Sequence, residues 1–201
     1  MTRLFPAATC FTLLLLSACS ALQQPQDVNQ SWALHSAQLA KLEHWTASGK
    51  VALRTPQQSE SASLSWRQHG NSTQLRLSGP LGLNNTTIDS DGLQLEIRQG
   101  QEYSRWRLDD PALQDSNTLH LPMRGLHYWL KGVPAPQLAP ASITLDEAGR
   151  LPRTIQQAGW TVEYLDFQQF EGFMLPTRLR LYRDETSARI ILRQWGDFTA
   201  P

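Results

Sequence analysis

From Gly49 onward apolar and polar residues alternate with a period of two. Gly49, Val51 and Leu53 interleave with Lys50, Ala52 and Arg54; Ala62, Leu64 and Trp66 with Ser63, Ser65 and Arg67; Leu75 and Leu77 with Gln74, Arg76 and Ser78. This pattern predicts successive half-buried strands. The breaks at His69-Gly70-Asn71 and Asp91-Gly92 supply residues that tolerate positive φ, after which Leu93, Leu95 and Ile97 resume the alternation. Glu102 to Leu108 adds a further strand. Its Tyr103 and Trp106 lie three apart, which calls for a bulge or for two wet faces.

Two stretches depart from this period. Between Trp32 and Trp45, the residues Trp32, Leu39 and Leu42, with Ala33, Ala37 and Ala40, recur at helical spacing and predict one amphipathic helix packed on a sheet. From Asp109 to Pro140 the alternation stops and prolines accumulate. Pro111 suits the start of a short helix, and Pro122 the start of another running through Leu126, Trp129 and Leu130 to a stop at Gly132-Val133-Pro134. Gly125 weakens that helix by about 1 kcal/mol relative to alanine. Strands return at 143–145, 153–156, 160–164, 178–183 and 189–195. The expected fold class is therefore mainly β (α+β), with roughly ten or eleven antiparallel strands. A half-polar sheet of that size hides its apolar face by curling toward a barrel or by taking the helices into its concavity, and either leaves a hydrophobic hollow.

The N-terminal segment stands apart. Arg3 precedes an apolar run from Leu4 to Leu16, too short to span a bilayer, and Leu16-Ser17-Ala18-Cys19 has the form of a bacterial lipobox. Residues 1–18 are expected to be a lipoprotein signal peptide, and Cys19 to carry a diacylglyceryl thioether and an N-acyl group. The polar stretch 19–30 would then be a tether, and 31–201 a single domain. Cys10 and Cys19 are the two cysteines, so the mature chain has no thiol for a disulfide, catalysis or a metal. One acyl chain binds only marginally, whereas two or three anchor a protein stably. Ser20 in place of an acidic residue points to the outer membrane.

Charge narrows the function further. Lys+Arg and Asp+Glu both number 18, for zero net charge, and no basic footprint for nucleic acid is present. There is no G-x-S-x-G, S-x-x-K, H-E-x-x-H or Gly-rich phosphate loop. His120 and His127 flank the Pro122 helix without a cysteine or close carboxylate pair, and Asp109-Asp110 suits a helix cap better than acid–base work. No catalytic residue, metal site or free cofactor is expected. Seven tryptophans are available to line a hollow, although any one of them is more readily a core residue. Between two strands, Ser78-Gly79-Pro80-Leu81-Gly82-Leu83 suits a tight projecting turn. A leucine in an arbitrary loop would fold back under the sheet.

Taken together, the lipobox, the Trp-containing first helix, the strand Gly49 to Arg54, the Gly79-Pro80-Leu81-Gly82 loop, Leu126-His127-Tyr128-Trp129-Leu130-Lys131-Gly132-Val133-Pro134 and Trp160-Thr161-Val162-Glu163-Tyr164 resemble the LolB family of outer-membrane lipoprotein acceptors. The resemblance implies an unclosed antiparallel β-barrel with helices in or over its concave face. It also implies a cavity for the acyl chains of client lipoproteins, delivered by a LolA-like periplasmic carrier and passed to outer-membrane phospholipid. Pro80, Leu81 and Gly82 would form a membrane-inserting loop. The candidate cavity residues are Leu64, Trp66, Leu75, Leu77, Leu93, Leu95, Ile97, Trp106, Leu126, Trp129, Trp160 and Tyr164. The protein is expected to act as a monomer on the periplasmic leaflet. The segment Pro111 to Leu121 looks about a turn shorter than the family's lid helix. The competing reading is a lipid-anchored structural lipoprotein of an outer-membrane assembly.

Overall fold

A computed structural model describes residues 28–82, 85–110 and 122–199, without the side chains of 28–30 and of Leu81. The expected signal peptide, Cys19, most of the tether, Leu83 and the Pro111 helix lie outside the described residues. Eleven strands form one antiparallel sheet: β1 (His44–Arg54), β2 (Ser59–His69), β3 (Ser72–Ser78), β4 (Thr86–Ser90), β5 (Gln94–Gln99), β6 (Glu102–Arg107), β7 (Ser142–Leu145), β8 (Pro152–Gln157), β9 (Trp160–Phe170), β10 (Phe173–Arg183) and β11 (Thr186–Thr199). Their order is β6-β5-β4-β3-β2-β1-β11-β10-β9-β8-β7. Every neighbour is adjacent in sequence except β1 and β11, whose pairing joins two meanders into one sheet. The edges β6 and β7 do not meet, so the barrel is unclosed.

Among the described residues two α-helices accompany the sheet, α1 (Val28–Ala40) and α2 (Met123–Trp129). Helix α2 lies on the connection that carries the chain from edge strand β6 to edge strand β7. It starts after Pro122, as the fixed proline φ favours, and ends at Gly132, whose φ of +85° lets the amides of Gly132 and Val133 reach back to the carbonyls of Trp129 and Tyr128.

Strand parity places the core. Trp195, Ala47, Trp66, Leu75, Ile88 and Ile97 occupy directly opposed positions on six consecutive strands, so one apolar row crosses the inner face from β11 to β5. All six are buried. Gly49 serves the same face by having no side chain, since a Cβ there would lie 1.9 Å from the Ile191 carbonyl oxygen where β1 and β11 shift register.

Three sequence expectations change. Trp45 belongs to β1 rather than to the first helix, and α1 touches the body through Trp32, His35 and Leu39, while Ala33, Ala37 and Ala40 face water. Leu93 is not an interior residue. The Asp91 carboxylate accepts hydrogen bonds from the amides of Leu93 and Gln94 at 2.8 and 2.7 Å, and this turn leaves Leu93 ahead of β5 and 76% exposed. Tyr103 needs no bulge: it stands on the outer face beside Arg98 and Arg105, with Trp106 on the inner one.

Gly125 also has a different meaning. A Cβ at this position would lie 2.6 Å from Cζ2 of Trp129, one helical turn on, so the glycine makes the space into which the indole folds. Alanine would gain about 1 kcal/mol of helix propensity. It would also force the best-buried ring of the helix off its seat, an overpacking cost of about 1–3 kcal/mol. Gly125→Ala is therefore expected to be destabilising on balance, as a lower urea midpoint with the slope unchanged.

Candidate functional site

The concave side of the sheet is predominantly apolar, and α2 lies within it. Leu126, Trp129 and Leu130 are 1%, 0% and 0% exposed. Leu64, Trp66, Leu75, Leu95, Ile97, Trp160 and Tyr164 are buried on the facing strands, and Leu77 and Trp106 are half-buried against the same cluster. The structure thus gathers every cavity candidate except Leu93 around one interior. Trp45 joins them, stacked on Trp66 at 5.9 Å and tilted on Trp195 at 5.1 Å.

A few buried polar groups fix this arrangement. The Trp129 indole N–H donates to Gln157 Oε1 at 2.9 Å, and the Tyr164 hydroxyl donates to the Trp129 carbonyl at 2.8 Å. Gln157 also accepts the Ala135 amide and donates to the carbonyls of Ala135 and Ala139, so its amide is fully used inside the protein. Lys131, 2% exposed, donates to the carbonyls of Leu39 and Leu42 at 2.8 Å each, joining the connection after α2 to the end of α1. The Leu39 carbonyl, in the last turn of α1, also accepts the Leu42 amide at 3.2 Å, and a cation suits carbonyls at the C-terminal end of a helix. Farther along the same inner face, on β2 and β3, Gln68 accepts from the Trp66 indole and from Thr73.

Gln157, Lys131 and Gln68 were not singled out in the sequence. Gln157 and Gln68 had one legible signal, a polar residue at the inward parity position two residues after Ile155 and Trp66. Nothing marked Lys131.

The hydrogen bonds that hold α2 to the sheet run to β8 and β9. Opposite them lies a cleft of about 530 Å³, between α2 and the turns joining β2 to β3 and β4 to β5. Leu108, Met123, His127 and Tyr128 give it an apolar side; Asn71, Thr73, Arg124 and Gln137 give it a polar rim. His127 is pushed down to about 4, chiefly by burial and then by the positive charge of Lys131. Lys131 is pushed down to about 8 by burial, with Glu43 opposing the change. Both shifts have a structural cause in packing around α2, and no group of His, Cys, Asp and Glu among the described residues is arranged to hold a metal.

At the end of β3, Pro80–Gly82 forms a single 3₁₀ turn closed by the Gly82 amide on the Gly79 carbonyl at 3.1 Å. Pro80 and Gly82 are exposed, and the positive φ of Gly82, +75°, sets the turn. The Leu81 side chain lies outside the description.

The unclosed antiparallel sheet, with its connecting helix set against the concave face, is similar in fold to solved structures of low sequence identity. A LolA superfamily protein from Nitrosomonas europaea superposes with a TM-score of 0.52 at 13% identity, over 83% of this chain and 94% of that one. Sequence takes the assignment further. Residues 43–195 match the family model "Outer membrane lipoprotein LolB", and the chain belongs to that family. It is 35% identical to the outer-membrane lipoprotein LolB of Stutzerimonas stutzeri, over 94% of this chain and 93% of the relative. Identity to that of Alkalilimnicola ehrlichii is 36%, over 91% and 92%.

Proposed function

We propose that the protein receives lipoproteins from a LolA-like periplasmic carrier, shelters their acyl chains against the concave face and passes them to the outer membrane, to which Cys19 anchors it. The observation that carries this reading is the apolar row across six strands, left open between β6 and β7 and covered by a helix rather than by a second sheet. Magnitudes explain why a sheltered route is needed. Three chains of about 16 carbons carry on the order of 40 kcal/mol of transfer free energy at ~0.8 kcal/mol per methylene, so release through water is unusable. Hand-over from one apolar concavity to another avoids that barrier without nucleotide or catalytic residues.

The placement of α2 supports an entry route. Trp129, Gln157 and Tyr164 bind the helix to β8 and β9, whereas the cleft lies along its other flank, toward β2–β5. Acyl chains would part that seam and leave the bound flank in place. The test is to mix the protein, made with Cys19→Ala so that it carries no lipid of its own, with lipoprotein bound to its carrier. The lipoprotein is expected to change hands; its retention on the carrier would refute the proposal.

Delivery is a separate step. Burying one leucine stabilises by only about 1.5–3 kcal/mol, too little to drive insertion of a client, so Leu81 would act by seating the Pro80–Gly82 turn on the bilayer. Leu81→Glu is expected to leave capture of client unchanged and to abolish its transfer to liposomes. Normal delivery by this variant would remove the turn from the mechanism.

A further inference from the structure

The convex face of the sheet holds a cluster that the concavity does not use. The parity that turns Val51, Leu179 and Ile190 into the core turns Lys50, Arg178, Arg180, Arg189 and Ile191 outward, all exposed. Register brings them together on three adjacent strands. Ile191 lies opposite both Lys50 and Arg178, and in the next outward row Arg189 lies opposite Arg180. Like charges directly opposed across an antiparallel pair are destabilising. Yet none of these four cations is ion-paired among the described residues, whose ion pairs all fall on the β4–β6 side. On flanking β9, Glu163 lies opposite Arg180 and accepts the Tyr182 hydroxyl, and Asp166 lies opposite Arg178. Two large aliphatic side chains stand among the charges, Ile191 at 43% exposure and Leu165 at 63%.

Cations around exposed aliphatics match a lipid–water boundary, where phosphates overlie the first methylenes. The position agrees. Ser78, Ser63, Lys50, Ile191 and Arg178 form one register row, so the patch is level with the end of β3, from which the Pro80–Gly82 turn leaves, about four strand spacings of ~4.8 Å away. We infer that this convex patch is a second membrane-contact surface, which holds phosphates of anionic phospholipid at Arg180 and Arg189 and settles Ile191 and Leu165 at the interface. Resting on the reading that the turn meets the bilayer, it gives the sheet a defined tilt: one contact alone leaves it free to pivot.

The test uses the full lipidated protein reconstituted in vesicles, with a fluorophore on Ala52→Cys, beside Arg189, or on Asn85→Cys, beside the turn, and a quencher on the lipid chains. With phosphatidylethanolamine and phosphatidylglycerol, both labels are expected to be quenched. Arg180→Glu with Arg189→Glu should release the Ala52 label alone, since each cation lost weakens attraction to an anionic surface about five-fold. Purely zwitterionic vesicles should do the same. These outward substitutions should leave the thermal transition in place. An unquenched Ala52 label with a quenched Asn85 label would overturn the patch and spare the turn. Neither label quenched would overturn both. An Ala52 label that responds to the carrier protein and not to lipid would overturn the proposal in favour of an acidic protein partner.

Discussion

Trp129→Ala is expected to lower stability by about 3–5 kcal/mol, which for a domain of this size is a fall of about 6–20 °C in the melting temperature. The indole is fully buried between α2 and the sheet, so its removal opens a void that the helix cannot fill by itself. The polar part of the loss is small. Gln157 Oε1 still accepts the Ala135 amide, and Tyr164 donates to a main-chain carbonyl that the substitution leaves in place. Trp129→Phe, which keeps most of the ring volume, should therefore recover most of the deficit. A Phe variant as unstable as the Ala variant would mean that the Gln157 hydrogen bond, and not packing, holds α2. Gly125→Ala attacks the same seat from the other side, so combining it with Trp129→Ala should cost less than the two changes taken separately.

That pair of residues also shows where sequence reading reached its limit. Alternation of single residues gave β1, β2, β3, β5 and β6 and the class of the fold, because a sheet with one wet face imposes its period on its strands; β4, Thr86–Ser90, was not read as a strand. Helix α2 was legible from its proline start and glycine stop. The meaning of Gly125 was not: propensity registers the missing Cβ as a weakness, and only the fold of the Trp129 ring over it reveals a requirement. Later strands read shorter than they are. Beyond Tyr164 the register of β9 against β10 shifts near Arg178, and Pro176 interrupts the pattern in β10, so the period of two is lost over residues that still pair.

Leu93 failed for a related reason. Its parity agrees with Leu95 and Ile97, but the Asp91 side chain captures two amides and ends the strand one residue short of it. Pairings distant in sequence were least accessible. Nothing local states that β1 meets β11, and that single contact both unites the meanders and assembles the outward row from Lys50 to Arg178. The interior candidates were legible because apolarity and parity coincide there. Lys131 and Gln157 were not, since a buried polar group takes its meaning from partners brought in by the fold.

Acid should loosen the helix before it titrates most of the carboxylates. In the unfolded chain His127 takes up a proton near 6.5, whereas burial and the neighbouring Lys131 charge hold it neutral in the fold down to about 4. Between these values the unfolded state binds more protons than the native one. The stability associated with neutral His127 is therefore present in full above pH 6.5, falls as the pH is lowered and is lost by about pH 4, a difference of about 3 kcal/mol. Lys131 acts in a separate window: its proton is lost from the fold near pH 8 but from the unfolded chain near 10.5, so stability rises with pH across that interval. Asp91, Glu96, Asp109 and Asp146, all held below their ordinary values, lose their contributions mainly beneath the histidine range. The histidine part can thus be isolated by difference. Urea midpoints of the protein and of His127→Gln should converge as pH falls from 6.5 to 4, because only the former has a buried imidazole to charge. Parallel curves through this window would show that the imidazole reaches water or a counter-charge as α2 sits in the concavity, and that the seam beside it is already open.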